Sequence, residues 1–235
     1  MPIKAVVFDL DGTIATFNLD YKTLRGEVRS YLLNTGVPAS LLTVNENIFD
    51  MLKKTEIFMN HQGKSGADME KIRKEAMSIA EKHEIEAAEQ ASTLPGAVET
   101  LKILKQSGLK IGLCTMNGKK SMDYILKRFN LAGFFDATIP RDKVNLVKPN
   151  TEHLETTLKA LDATAAETLV VGDSINDMKG AKDLNAVAVG LPTGISTKEK
   201  LVSYGANFIL TSITDLPVLI ERLNKPEPPR KERLC

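Results

Sequence analysis

The segment VVFDLDGT, residues 6–13, decides the fold of this chain. It continues a short apolar run from Ile3 to Phe8 that is rich in β-branched residues and stops abruptly at acids, glycine and threonine. This pattern predicts a buried strand that ends in a polar turn. Side chains alternate along a strand, so Asp9 and Asp11 can point to the same side. Two carboxylates held that close need a cation between them, or one of them keeps its proton.

The polar turn itself suits anion binding, because Gly12 lets backbone N–H groups approach an anion closely. A metal-assisted reaction with an aspartate nucleophile needs a carboxylate pair of this kind. The alternative is an Asp-Gly turn that merely closes a core strand, since short motifs also occur by chance. Other motifs in the sequence are therefore needed to distinguish an active site from a turn with no catalytic role.

Composition and charge narrow the class of protein. The chain has 235 residues, 43% of them hydrophobic and 26% charged, which suits one large domain or a core with a smaller insertion. A formal net charge of +1 and the absence of Trp argue against a nucleic-acid partner. Cys114 and Cys235 cannot form a disulfide framework, and the sequence shows no leader and no long apolar run. We therefore expect a cytoplasmic monomer or homodimer without a membrane partner.

Helix and strand patterns alternate from residue 93 onward. After the first strand, apolar runs predict further strands at residues 110–114, 137–139, 168–171, 186–189 and 207–210. Helical patterns lie beside them at residues 97–106, 119–129, 151–161, 176–184, 197–204 and 213–223. Strands that alternate with helices of this length predict right-handed crossovers. The predicted fold class is α/β, a Rossmann-like parallel sheet with helices on both faces, which binds ligands beyond the carboxyl ends of its strands.

Residues 15–92 show helical periodicity and no strand signal. Helices are predicted there at residues 21–34, 39–59 and 68–91. This segment is therefore interpreted as an all-helical insertion into a core made of residues 1–14 and 93–224. Residues 225–235 combine prolines with several charges and are predicted to be a disordered tail.

Polar side chains follow three predicted strands, at the edge where a parallel sheet brings its strand ends together. Asp9 and Asp11 follow the first strand. The sequences TMN at residues 115–117 and GDSIND at residues 172–177 follow two others, and Lys148-Pro149 stands at the entrance to a helix. This arrangement suits phosphoryl transfer, which depends mainly on positioning and charge stabilisation.

Each of these groups has a place in that chemistry. The Thr115 hydroxyl and the Lys148 ammonium would hold the non-bridging phosphoryl oxygens. Mg²⁺ prefers oxygen ligands, and Asp9, Asp11 and Asp173 would supply them. An aspartate could attack phosphorus and form an aspartyl-phosphate, which splits one difficult step into two.

The order DLDGT at residues 9–13, Thr115, Lys148-Pro149, and GD at residues 172–173 followed by Asp177 resembles the four motifs of the haloacid dehalogenase-like (HAD) hydrolase superfamily. The resemblance covers the whole alternating part of the chain. The insertion resembles the helical cap of the phosphoglycolate phosphatase-like members. Any one motif is weak, whereas four in order on the expected elements are specific.

The resemblance implies a role for each residue. Asp9 would be the nucleophile, and Asp11 would be the general acid for the leaving oxygen and then the base for water. The implied phosphate-binding set is Gly12, Thr115, Met116, Asn117 and Lys148. The implied Mg²⁺ set is Asp9, Asp11 through its backbone carbonyl, Asp173, and Asp177 in support of the metal shell. Aspartate at position 11 favours a phosphatase or phosphomutase over a dehalogenase or a P-type ATPase.

Each of these residues also has an ordinary structural interpretation. Thr115 and Ser174 could cap helices, Lys148 could be a solvated loop lysine, and Asp177 could be a favourable charge in the first turn of a helix. Their joint spacing, rather than the identity of any one residue, favours the functional interpretation.

Three other patterns are set aside. Residues 112–120 mimic a P-loop, but five residues separate the glycines and Lys120 stands where Ser or Thr is required. Cys114 would need an arginine at position 120 to act as in a cysteine phosphatase, so a core thiol is preferred. The three histidines share no zinc-ligand spacing.

The leading hypothesis is a Mg²⁺-dependent phosphatase that acts on a small phosphorylated metabolite. A phosphomutase and a non-catalytic interaction protein on a phosphatase core are the alternatives. The identity of the substrate does not follow from the sequence. The insertion would set specificity, and its candidate residues, each more easily explained as helix surface, are Tyr21, Arg25, Lys53 and Lys54.

Overall fold

A six-stranded parallel sheet forms the centre of the fold, in the strand order β3-β2-β1-β4-β5-β6. The strands are β1 (Ala5–Phe8), β2 (Lys110–Cys114), β3 (Ala137–Ile139), β4 (Thr168–Gly172), β5 (Val187–Gly190) and β6 (Phe208–Ile209). The order reverses between β1 and β4, so the crevice at their carboxyl ends is the expected ligand site of such a sheet. The predicted Rossmann-like parallel sheet is confirmed.

Both faces of the sheet are covered. Val7 and its neighbours on one face pack against helical side chains such as Leu154 and Met178. Val6 and Phe8 alternate with Val7 along β1 and are equally buried, which means that the opposite face is covered too. Parallel strands that are buried on both faces read as continuous apolar runs, and this is why the run ending at Phe8 carries no polar alternation.

The computed structural model describes residues 2–16 and 19–225, which divide into two compact units. Of the described residues, 2–16 and 91–225 belong to the larger unit. Its helices are α4 (Ala97–Gln106), α5 (Lys119–Arg128), α6 (Thr151–Leu161), α7 (Ile175–Asp183), α8 (Lys198–Ser203) and α9 (Leu216–Asn224), numbered after the three of the smaller unit. The tail predicted at residues 225–235 lies, apart from Lys225, outside the described residues.

The smaller unit is described for residues 19–90, and the regular structure of these residues is helical. Its helices are α1 (Tyr21–Asn34), α2 (Ile48–His61) and α3 (Gly66–Gln90), with a short 3₁₀ turn at Ala39–Leu41. The unit has a core of its own, in which Leu32, Met51 and Ala76 are fully buried.

The second helix of this unit begins later than the sequence predicts. The expected helix at residues 39–59 is a 3₁₀ turn followed by α2, which starts at Ile48. The Asn47 side chain accepts a hydrogen bond from the backbone N–H of Asp50 and so caps α2 at this point. Leu41 and Leu42, which suggested helical periodicity, belong to the turn and its exit.

Smaller differences occur at the end of the chain. The expected helix at residues 213–223 begins as a 3₁₀ turn, Ile213–Asp215, and becomes α9 only at Leu216. The Ser212 side chain accepts from the backbone N–H of Thr214 and holds this tighter turn. Within the described ranges, every helix is too short or too polar to cross a bilayer.

Candidate active site

The carboxyl ends of β1 and β4 bring the first and last acidic motifs together. Phe8 pairs with Val171 in the parallel ladder, and the backbone N–H of Asp9 continues it by donating to the Val171 carbonyl at 2.9 Å. Asp9 therefore leaves β1 beside the point where Asp173 leaves β4. The sequence separates these two acids widely, and the central pairing of β1 with β4 joins them.

Lys148 connects three of the predicted site elements. Its Nζ lies 2.8 Å from Oδ1 of Asp9, 2.6 Å from Oδ1 of Asp177 and 2.7 Å from the carbonyl oxygen of Cys114. Lys148 is only 3% exposed, which rules out the solvated loop lysine that the sequence left open. Burial by itself would lower the pKa of Lys148. The negative charges of Asp177 and Asp9 have the larger combined effect and raise this pKa well above its usual range.

Asp9 and Asp177, the two acids that contact Lys148, form a cluster of three carboxylates with Asp173. One oxygen each of Asp9, Asp173 and Asp177 lies within 4.8 Å of the others. Burial, followed by the charge of Asp177, raises the pKa of Asp9 to about 6 although Lys148 lowers it. Burial, Asp9 and Asp177 together raise the pKa of Asp173 to about 8. The cluster therefore carries more negative charge than Lys148 alone offsets.

The donor set of this cluster fits a hard divalent cation. Buried carboxylate oxygens are the ligands that Mg²⁺ takes in proteins, usually together with waters and substrate phosphate. Asp9 and Asp173 are the better ligands, because Asp177 already uses Oδ1 for Lys148 and Oδ2 for the backbone N–H and hydroxyl of Ser174. Asp177 and Ser174 form a capping box at the start of α7. Ser174 therefore caps α7 as expected, and Asp177 takes part in this cap while also belonging to the carboxylate cluster.

The three-carboxylate cluster comprises Asp9, Asp173 and Asp177 and does not include the Asp11 carboxylate. β1 ends at Phe8, so the strict alternation of a strand no longer applies at position 11. The Asn117 side chain donates from Nδ2 to Oδ1 of Asp11 at 3.1 Å. Asn117, predicted to bind phosphate, thus contacts the predicted acid–base residue.

The turn after Cys114 has a defined internal geometry. Thr115 is fully buried, its N–H donates to the Ile139 carbonyl, and its Oγ1 accepts from the backbone N–H of Asn117 at 3.1 Å. The Met116 carbonyl accepts from Nη1 of Arg141 at 3.2 Å. Arg141 is 6% exposed and was not identified from the sequence, which offers no motif around it.

Gly12 has a conformational role in the turn after β1. Its N–H donates to the Ala15 carbonyl at 2.8 Å and is therefore engaged within the turn itself. Its φ of 68° is left-handed, and a Cβ there would lie 2.7 Å from Oδ2 of Asp173. Glycine is needed for the conformation and for the close approach of Asp173.

The loop Thr193–Ile195 after β5 also contacts the site, although its role was not predicted from the sequence. The backbone N–H of Ile195 donates to Oδ2 of Asp173 at 2.7 Å, and the Thr193 hydroxyl donates to the Gly12 carbonyl at 2.5 Å. The sequence PTG at residues 192–194 marks a turn, and its position at the end of a strand was the available signal.

The residues set aside as nucleophile or zinc ligand have structural roles. Cys114 is 1% exposed, and burial raises the pKa of its thiol to about 12. His153 is fully buried, and its Nε2 lies 3.0 Å from the Ile139 carbonyl, the same carbonyl that accepts from Thr115. Both side chains are therefore buried in the folded chain rather than exposed to a substrate.

The parallel sheet, the four ordered motifs and the buried acidic cluster are the features that the resemblance to the HAD-like hydrolases implies. The family model of the haloacid dehalogenase-like hydrolases matches residues 3–185 of the chain. The chain therefore belongs to the HAD-like hydrolases, and the resemblance seen in its motifs is confirmed.

Similar proteins span nearly the whole chain. The pyrophosphatase PpaX of Bacillus mycoides is 28% identical over 235 residues, which cover 95% of this chain and 100% of the relative. A hydrolase from Pseudomonas syringae aligns with a TM-score of 0.64 at 23% identity, over 94% of this chain and 100% of its own. A HAD phosphatase from Thermococcus onnurineus aligns with a TM-score of 0.59 at 24% identity, over 93% and 98%. At these identities the two solved structures bear on the fold alone.

Proposed function

We propose that this protein is a Mg²⁺-dependent phosphatase that hydrolyses a small phosphorylated metabolite through an aspartyl-phosphate on Asp9. The observation that carries the proposal is the cluster of Asp9, Asp173 and Asp177 at the carboxyl ends of β1 and β4, with Lys148 bonded to Asp9 and Asp177. Three clustered acids with a single ammonium group to offset their charge are costly to stability, and such clusters are typical of functional sites.

The proposed reaction has two steps. A carboxylate oxygen of Asp9 attacks phosphorus while the bond from phosphorus to the ester oxygen breaks, and Asp11 gives its proton to the departing oxygen. Water then attacks the aspartyl-phosphate, Asp11 takes a proton from that water, and the phosphorus–oxygen bond to Asp9 breaks. Inorganic phosphate leaves, and both aspartates return to their starting states.

Other residues would hold the transferring group. The Lys148 ammonium remains charged and would face the phosphoryl oxygens, together with the hydroxyl of Thr115. Mg²⁺ would be held by Asp9 and Asp173, with Asp177 and the backbone carbonyl of Asp11 in support. When bound, the cation would neutralise charge on the acids and on the phosphoryl oxygens.

The proposed reaction and the names of the relatives determine which substrates should be tested first. Small phosphate monoesters are the first class to test, and inorganic pyrophosphate belongs in the panel because relatives carry the name pyrophosphatase. The purified protein would be assayed for phosphate release with Mg²⁺ and with excess EDTA. Turnover with Mg²⁺ and none with EDTA is expected, whereas full activity in EDTA would refute the metal role.

Asp9→Asn provides the matched control, because it removes the nucleophile without changing the shape of the side chain. We expect it to abolish turnover in a folded protein. Retention of a tenth of wild-type kcat corresponds to a barrier change of only about 1.4 kcal/mol and would exclude Asp9 as nucleophile. Phosphoryl transfer to a sugar without phosphate release would instead indicate a phosphomutase. Absence of any turnover across the panel would favour a non-catalytic interaction protein.

A further inference from the structure

The loop after β5 contacts two separate parts of the site, although the proposed reaction uses none of its residues. The backbone N–H of Ile195 donates to Oδ2 of Asp173 at 2.7 Å. Asp173 is 3% exposed, so this bond replaces water that the carboxylate has lost. A hydrogen bond to a buried carboxylate oxygen restricts the orientation of the whole group.

The middle residue of the loop must be small. A Cβ at Gly194 would lie 1.9 Å from Oδ2 and 2.5 Å from Cγ of Asp173, far inside any tolerated contact. The requirement is for space, since the backbone of Gly194, unlike that of Gly12, does not adopt the left-handed conformation. The loop backbone is therefore packed directly against the carboxylate.

The same loop also holds the turn that follows the nucleophile. The Thr193 hydroxyl donates to the Gly12 carbonyl at 2.5 Å. A Cβ at Gly12 would lie 2.9 Å from Cα of Gly194, so the two backbones are in close contact. One three-residue loop thereby links the acidic residue after β4 to the turn after β1.

We propose that the loop Thr193–Ile195 is a positioning element that sets the Asp173 carboxylate for divalent-cation binding. The inference rests on the proposed function, in which Asp173 is a metal ligand. Ile195 contributes its backbone N–H, Gly194 contributes the absence of a side chain, and Thr193 anchors the loop to Gly12. Groups that orient metal ligands commonly affect metal affinity about 10–100-fold.

The test measures Mn²⁺ binding to the full chain without substrate, by the loss of the free-ion signal in electron paramagnetic resonance, with Mg²⁺ as competitor. We expect Gly194→Ala to weaken Mn²⁺ binding at least about 10-fold, because its methyl group would displace Asp173. Gly133→Ala is the matched control, since a Cβ at Gly133 meets nothing within 4 Å. It should bind Mn²⁺ like the wild type.

Thr193 supplies a second, milder pair of variants in case Gly194→Ala fails to fold. Thr193→Val removes the hydroxyl and should weaken Mn²⁺ binding several-fold, whereas Thr193→Ser keeps the hydroxyl and should restore it. Thermal unfolding without metal checks that each variant is folded. Wild-type affinity in folded Gly194→Ala, or in Thr193→Val, would overturn the inference. A wild-type protein that binds no Mn²⁺ would instead refute the metal role in the proposed function.

Discussion

The Nζ atom of Lys148 lies 2.8 Å from Oδ1 of Asp9, and the same ammonium group also contacts Asp177 and the carbonyl of Cys114. An ammonium group has three hydrogens, and each has an acceptor here. The position of the Lys148 ammonium group is therefore fixed by acceptors at the end of β1, at the end of β2 and in the first turn of α7. Lys148 thus connects Asp177, which belongs to the capping box of α7, to Asp9, the proposed nucleophile.

Replacing Lys148 tests this network. Lys148→Met should lower the free energy of unfolding by about 3–5 kcal/mol, because two buried carboxylates lose their counter-charge. Lys148→Arg should also impair activity, since a planar guanidinium cannot reproduce three convergent hydrogen bonds from one nitrogen. Urea unfolding and steady-state kinetics provide the measurements.

The control for this experiment removes one of the two acids. Asp177→Asn in the Lys148→Met background should recover part of the lost stability without restoring turnover. If Lys148→Met alone were as stable as the wild type, the buried ion pairs would be unimportant for folding.

The contact between Asn117 and Asp11 predicts that their effects are coupled. Asn117→Ala should lower kcat about 10–100-fold, because hydrogen bonds to charged groups contribute about 1.5–3 kcal/mol. The loss should be larger for an alkyl phosphate than for p-nitrophenyl phosphate, whose leaving group needs no proton. In an Asp11→Asn background the same substitution should have no further effect. Equal losses for both esters, additive with Asp11→Asn, would indicate direct phosphate binding by Asn117.

His153 predicts a specific dependence of stability on pH. Burial, followed by the nearby charge of Lys148, lowers the pKa of His153 to about 4, against an ordinary value of 6.5. Above pH 6.5 the imidazole is neutral in both states and contributes no pH dependence. Between pH 6.5 and 4 only the unfolded state binds the proton, so the free energy of unfolding falls as pH falls. At pH 5 this amounts to about 2 kcal/mol.

The matched variant is His153→Gln, whose amide does not titrate. The raised pKa values of Asp9 and Asp173 act in the opposite direction, because those carboxyls bind protons more readily in the folded state. Their contribution cancels when urea unfolding of the two proteins is compared at pH 5 and pH 8. Identical changes in both proteins would show that His153 is not buried as a neutral group.

Cys114 should be unreactive in the folded protein. The thiolate is the reactive form, and burial raises the pKa of Cys114 to about 12. In a Cys235→Ser variant, Cys114 is the sole cysteine. We expect Ellman's reagent to label this variant only after denaturation in guanidinium. Rapid labelling of the native protein would contradict the burial of the thiol and reopen its role as a nucleophile.

Removal of the insertion tests whether it sets specificity. Thr16 donates its backbone N–H to the Ser92 carbonyl at 2.7 Å, and Leu94 donates to Ile14 at 2.9 Å, so the two ends of the insertion are already joined in the larger unit. Replacing residues 18–90 with a short Gly/Ser linker should therefore leave the larger unit folded. We expect kcat/KM to fall much further for the preferred metabolite than for p-nitrophenyl phosphate. Equal losses in a folded core would show that the insertion does not determine specificity.

Local sequence was sufficient for the strands and for the polar residues that end them, although it misplaced the start of α2 and of α9. The apolar run ending at Phe8 predicts β1, and the sequence GDSIND predicts both the end of β4 and the start of α7. These features depend on burial periodicity and on hydrogen bonds within a few residues, such as that between Ser174 and Asp177. A short window of sequence contains all the groups involved.

The partners of the site residues were decided by the tertiary structure. Asn117 and Asp11 are 106 residues apart, Lys148 and Asp177 are 29 apart, and Asp173 and Ile195 are 22 apart. These contacts depend on which strands are neighbours and on the path of each loop beyond its strand. Neither is encoded in a local pattern, because the order of strands in a sheet reflects packing of the whole core. The motifs therefore predicted which acids and which lysine belong to the site. The tertiary structure was needed to show which of their atoms form hydrogen bonds with one another.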